Sequence, residues 1–155
     1  MLKRIAFIAI VFISITGITQ TNTEHLEIEQ TIRTFFEGFH NQDTIMMKSV
    51  LFEQVHLQTI GFNNESHLVK ITEESIPKFL KSIVSIPKEV SFEEVIHDYS
   101  IQSDGLLGTA WTSYIFILNN IPSHCGSNSF QLVKTEEGWK IFSITDTRKR
   151  EGCPG

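Results

Sequence analysis

The chain is poor in cysteine, with two among 155 residues, and it lacks any excess of basic side chains, with 13 Lys and Arg against 18 Asp and Glu. Two cysteines exclude a disulfide-dense mini-scaffold. A net charge of −5 argues against a nucleic-acid partner, because such proteins neutralise phosphates with a basic face. There is no internal repeat, no low-complexity run and no linker, so the length is that of one domain. The six histidines, His25, His40, His56, His67, His97 and His124, form no His-x-x-x-His and no His-x-His pair. No metal site and no cofactor are therefore expected. What is present is 41% hydrophobic residues, enough for a core and too many for intrinsic disorder.

One long apolar run stands apart. Lys3 and Arg4 precede the fourteen residues Ile5 to Ile18, with small Gly17 and Thr19 at its end. A basic start, an apolar stretch and small residues beyond it read as a secretory signal peptide, cut after Thr19. As a helix the run would reach about 21 Å, short of the roughly 30 Å hydrocarbon core, which disfavours a transmembrane anchor. Residues 1–19 are thus expected to be a signal peptide and residues 20–155 the domain, secreted or periplasmic, with no stable membrane anchor after cleavage. Cleavage removes Lys3 and Arg4, so 11 basic residues face 18 acidic ones and 136 residues carry −7.

The remainder divides by period. Thr21 and Glu24 fit a capping box, and Ile28, Ile32, Phe35, Phe36 and Phe39 form one face of a first helix. Asp43 can cap a second, short helix with Ile45, Met46, Met47, Val50 and Leu51 on its apolar side. Val55 to Ile60 alternates as a strand, Asn63-Asn64 turns, and His67 to Ile71 returns. Ser75, Pro77, Phe79, Leu80, Ile83 and Val84 outline a third helix, and Pro87 stops it. From Ser91 the period is two. Strands near 91–103, 106–118, 123–134 and 139–147 are joined by turns at Asp104-Gly105, Asn119-Asn120 and Glu137-Gly138. Asp104-Gly105 is the strongest hairpin signal, of a type that needs positive φ at both positions. The tail Arg148 to Gly155 is polar and expected to be loosely held.

Helices before a run of strands predict an α+β fold, with N-terminal helices packed on a curved antiparallel sheet closed into a cone with an internal pocket. Ile115 and Ile117 on one face of the sheet, and Phe116 and Leu118 on the other, make both faces partly apolar. A sheet with one wet face alternates more cleanly, which points to a homodimer through the sheet.

Three segments carry a family resemblance. Ile32-Arg33-Thr34-Phe35-Phe36-Glu37-Gly38-Phe39-His40-Asn41-Gln42-Asp43 resembles the first helix of the nuclear-transport-factor-2-like superfamily and its step into helix two. Ala110-Trp111-Thr112-Ser113-Tyr114 resembles its central strand, and Gly138-Trp139-Lys140-Ile141-Phe142 its last. The superfamily includes SnoaL-like cyclases and ketosteroid isomerases, and its motifs specify fold better than function. Ketosteroid isomerases use a helix-one tyrosine, a base aspartate on the first strand and a protonated aspartate later. Here Phe35 stands at the tyrosine and a residue near Thr59 at the base. Phenylalanine has no donor and threonine is no base near neutral pH. Asp98 stands near the second aspartate.

The resemblance implies either a domain that binds a small hydrophobic molecule or a partner, or a SnoaL-like acid/base enzyme. The pocket candidates are Asp98, Trp111, Tyr114 and His124. An aspartate pushed into an apolar cone would titrate high and could serve as acid or base. Strand neighbours face opposite sides, so His97 and Asp98 cannot form a dyad with each other, and Trp111 and Tyr114 point apart. The Asp146 to Arg150 cluster is either a solvated strand end or an anion-contacting rim. Cys125 and Cys153 read as a disulfide, with two free thiols as the alternative. The last hairpin sets Cys125 opposite about Lys149, and closing the loop would stabilise by about 3.6 kcal/mol.

Overall fold

The computed structural model describes residues 16–63 and 66–153, with side chains from Thr23 onward. The expected export signal lies outside the described residues up to position 15, and so does Asn64 of the expected turn. Helix α1 (Thr16–His40) and the short α2 (Thr44–Ser49) precede strands β1 (Leu51–Phe62) and β2 (Val69–Glu74). Helix α3 (Ile76–Val84) follows, then β3 (Phe92–Ser103), β4 (Leu107–Leu118), β5 (Ile121–Thr135) and β6 (Gly138–Thr147). No helix among the described residues is long and apolar enough to cross a membrane.

The six strands form one curved sheet in the order β2-β1-β6-β5-β4-β3. The meander β3–β6 is antiparallel as its turns predict, and the β1–β2 hairpin joins it by pairing β1 parallel to β6. The sheet is therefore mixed rather than antiparallel throughout. Parallel pairing needs a long crossover, which the third helix and the meander together supply.

The stripe on α1 does what its spacing requires. Ile28, Ile32, Phe35, Phe36 and Phe39 are all buried, against Ala110, Phe130, Leu132, Trp139, Ile141 and Ile144 of the sheet. Asp43 caps α2, its carboxylate accepting from the amides of Ile45 and Met46 at 2.9 and 3.0 Å. Only Met47 of α2 is buried; Ile45 is 82% exposed, and Leu51 belongs to β1. In α3, Leu80 and Ile83 point inward, while Val84 is exposed.

Three local expectations need correction. Helical backbone runs from Thr16 through Thr21, so Thr21 does not cap α1, and the Glu24 carboxylate instead accepts from the Ser103 hydroxyl at 3.1 Å. At Asp104-Gly105 only Gly105 has positive φ, at 92°. The Asp104 carboxylate takes the amides of Leu107 and Leu106 at 2.8 and 3.0 Å, and these bonds hold its pKa down. The turn with both residues at positive φ is Asn119-Asn120, at 50° and 63°. The third correction concerns the tail. Lys149 pairs with Cys125 through both backbone bonds, at 3.0 and 2.9 Å. The Cys125–Cys153 disulfide then fastens it, with Cα atoms 5.6 Å apart. The chain is thus held as far as Cys153.

Candidate functional site

Alternation along the strands decides which side chains meet inside the cone. On β4, Ala110, Thr112 and Tyr114 turn inward and are buried, while Trp111 between them points out and is 56% exposed. Tyr114 crosses over Gly126 of β5 to donate to the Thr147 carbonyl at 3.0 Å. A Cβ on Gly126 would overlap that carbonyl oxygen, so a side chain there would break the crossing.

Between the helices and the sheet lies a cavity of about 590 Å³, within the range of small-molecule sites. Its apolar wall has six phenylalanines among the described residues: Phe35, Phe36, Phe39, Phe79, Phe92 and Phe116. Phe79 of α3 stacks over Phe35 and Phe39, with centroids 6.5 and 6.2 Å away. Phe92 meets Phe39 edge-on at 5.1 Å and stacks with Phe116 at 6.4 Å. The exposed lining residues are Thr72 and Glu73 of β2, Lys78 and Ser82 of α3, and Arg148 just past β6; the first four place a mouth between β2 and α3.

The opposite wall is polar, and sheet register builds it. Asn128 of β5 lies beside Asp146 of β6, Asp146 beside Thr59 of β1, and Thr59 beside Thr72 of β2. Asn128 and Asp146 are buried, at 3% and 8% exposure. The Thr59 hydroxyl donates to one Asp146 oxygen at 2.6 Å, and Arg148 Nε donates to the other at 2.7 Å. Glu94 of β3 completes the wall, accepting from the Asn128 amide at 2.8 Å.

Glu94 is the most perturbed of these groups. Burial disfavours its charged form and pushes its pKa up to about 7, the Asn128 amide opposes this, and the Asp146 carboxylate adds to it. Its backbone N–H donates to His40 Nε2 at 2.9 Å. Burial lowers the His40 pKa, consistent with a neutral imidazole that can accept. His124 stacks on Phe116 at 4.8 Å, and burial, with Arg148 nearby, lowers its pKa also. Among the described residues no three His, Cys, Asp or Glu side chains group as metal ligands.

The predicted pocket residues separate on this geometry. His124 lines the cavity. Tyr114 is buried beside it, but its hydroxyl is spent on Thr147, and burial raises its pKa. Trp111 lies on the outer face. Asp98 does not reach the cavity either: β3 is irregular between His97 and Ser100, and Asp98 has φ +52° there. Asp98 is exposed, and its carboxylate accepts from the Ser113 hydroxyl at 3.3 Å. The bulge breaks the two-residue alternation, so Asp98 leaves the inward series of Phe92, Glu94 and Ile96. The Asp146 to Arg150 cluster, expected to be a solvated strand end or an anion-contacting rim, contributes Asp146 and Arg148 to the cavity wall.

Sequence reasoning missed Glu94 and Asn128. A usable signal exists, because Glu94 falls in phase with Phe92 and Ile96, and Asn128 with Phe130 and Leu132. A polar residue in phase with an inward apolar series faces the interior wherever the strand runs without a bulge.

No family model and no curated protein matches the chain. Solved structures do match in shape. A protein of unknown function from Mycobacterium tuberculosis superposes with a TM-score of 0.72 at 14% identity, over 90% of this chain and 79% of that one. A nuclear-transport-factor-2-like protein of unknown function from Shewanella baltica gives 0.59 at 18% identity, over 83% and 95%. A protein from Streptomyces avermitilis, provisionally named a dehydratase of the nuclear-transport-factor-2-like family, gives 0.61 at 10% identity, over 83% and 98%.

Proposed function

We propose that this chain, whose fold is that of the nuclear-transport-factor-2-like proteins, binds a small and largely apolar molecule in its cone. The observation that carries this reading is the cavity itself, aromatic on one wall and hydrogen-bonding on the other. Such a division holds an apolar body by burial and orients one polar end. Native mass spectrometry of the exported protein is expected to show a co-purifying small molecule or uptake of a neutral apolar dye such as Nile red. Ser82 is an exposed residue at the mouth. Ser82→Trp is expected to abolish dye uptake without lowering the melting temperature; unchanged uptake overturns the reading.

A second reading, an acid/base enzyme, is favoured by Glu94 alone. A carboxyl titrating at about 7 can hold or accept a proton near neutral pH. This reading expects solvent deuterium to enter an enolisable ketone such as phenylbutanone, and Glu94→Gln to stop the exchange. No exchange above the rate in buffer overturns it.

Export and self-association complete the proposal. The Cys125–Cys153 bridge suits an oxidising compartment, and residues 1–19 are proposed as a cleaved signal; a retained Met1 in the exported protein overturns this. A homodimer through the outer sheet face is supported by Trp111, which stands between Ser100 and Ser129 of the flanking strands. Light scattering is expected to give twice the chain mass, and Trp111→Glu the monomer. A monomer mass for the unaltered protein at micromolar concentration overturns the dimer.

A further inference from the structure

The cavity's charges do not all find partners. Arg148 is committed to Asp146 at 2.7 Å, and Lys78 to Glu74 at 3.2 Å. At the mouth, Glu73 meets the exposed His56 at 3.2 Å. Glu94 is left. Among the described residues its carboxylate bonds only the neutral Asn128 amide and forms no ion pair. Asp146 and Arg148 act on that carboxylate only through space, and two aromatic residues stand beside Glu94 on the inner face. Glu94 lies directly across from Phe116 in the sheet and two residues from Phe92, on the same face.

Ring faces carry negative potential and attract cations. A carboxylate beside aromatic residues in one cavity offers an ammonium group both kinds of partner. An anionic occupant would meet Glu94 and Asp146 together, and the one guanidinium that could offset them is already bonded. Burial, with Arg148 nearby, lowers the His124 pKa, which disfavours a competing cation there. We infer that the occupant of this cavity is an amine, carrying its protonated nitrogen on an apolar body and setting it against the Glu94 carboxylate. This rests on the ligand-binding reading above and narrows it to one chemical class. The apolar body packs among the phenylalanines of α1 and α3, and the ammonium takes the Glu94 oxygen that Asn128 leaves unbonded.

The test is calorimetric titration of the oxidised, exported chain with three matched probes: phenylbutylamine, phenylbutanol and phenylbutyrate. At about pH 8 the amine is expected to bind at least about tenfold more tightly than the alcohol, as a charge-assisted hydrogen bond predicts. The carboxylate is expected to bind weakest. Glu94→Gln, checked for folding by near-ultraviolet circular dichroism, is expected to erase the amine's advantage over the alcohol. An alcohol that binds the unaltered protein as tightly as the amine overturns the inference and leaves the cavity reading intact. So does an amine preference that survives Glu94→Gln. If none of the three binds, both fall. The comparison of probes on the unaltered protein needs no variant to fold.

Discussion

Asp146 and Glu94 line the same cavity on opposite sides of Asn128, and their company differs. Asp146 accepts from a hydroxyl at 2.6 Å and a guanidinium at 2.7 Å. Glu94 accepts from one neutral amide at 2.8 Å. One corner is an ion pair with its hydrogen bonds made; the other keeps a carboxyl that burial pushes toward its neutral form. A buried carboxylate is stable when paired and reactive, or receptive, when not. The contrast leaves Asp146 fully bonded and supports the proposed ligand or proton role of Glu94.

The contrast can be broken most strongly from a distance. The bridge fastens Lys149 to Cys125, one residue beyond Arg148. Replacing Cys125 and Cys153 together by serine is expected to lower stability by about 3.6 kcal/mol through loop entropy, read by urea denaturation. Next in size is Glu94→Gln. Unfolded, Glu94 loses its proton near 4.5; folded, it keeps it to about 7. Between those values the folded state binds more protons, so this group's contribution falls as pH rises and is flat above the window. Glu94→Gln is therefore expected to stabilise at pH 8 by about 3 kcal/mol. His40 and His124, lowered by burial, act in the opposite sense, stability being lost as pH falls below their unfolded value of 6.5. The variant should accordingly keep a stability that rises with pH toward 6.5 and then levels; a variant that still loses stability as pH rises from about 5 to about 7 would refute the Glu94 assignment.

Two smaller changes sharpen the Asp146 side. Asp146→Asn leaves Arg148 without its counter-charge and is expected to cost about 2 kcal/mol. It should also lower the Glu94 pKa, since the Asp146 carboxylate helps to raise it; carboxyl titration by nuclear magnetic resonance checks this. Thr59→Val removes the hydroxyl donor and is expected to cost about 1 kcal/mol, with no effect on Glu94.

Much of this architecture was legible before any coordinates. The α1 stripe, the Asp43 cap, the meander and the disulfide follow from periodicity, side-chain chemistry and cysteine count. The parallel junction of β1 with β6 was not legible, because the chain between them reveals no pairing preference. Among the expected pocket residues, His124 lines the cavity and Trp111 faces out, opposite in parity to Tyr114; Asp98 faces out for another reason. Parity along β3 fails at the bulge that carries Asp98, and nothing local in His97-Asp98-Tyr99 announces a bulge. Glu94, by contrast, falls in phase with Phe92 and Ile96 on a regular stretch of β3. Thr59 stands in the cavity wall where the family pattern puts a base, and its hydroxyl serves a neighbouring carboxylate instead.

The polar wall is written in register: Asn128, Asp146, Thr59 and Thr72 come level only because four strands align in one way. A slip of one residue in any of them would turn its polar side chain outward and bring an outer one in. The covalent bond from Cys125 to Cys153, set just past the end of β6, works as a stop against such slippage. A cross-link at the margin of the sheet thereby protects the spelling of the chemistry at its centre.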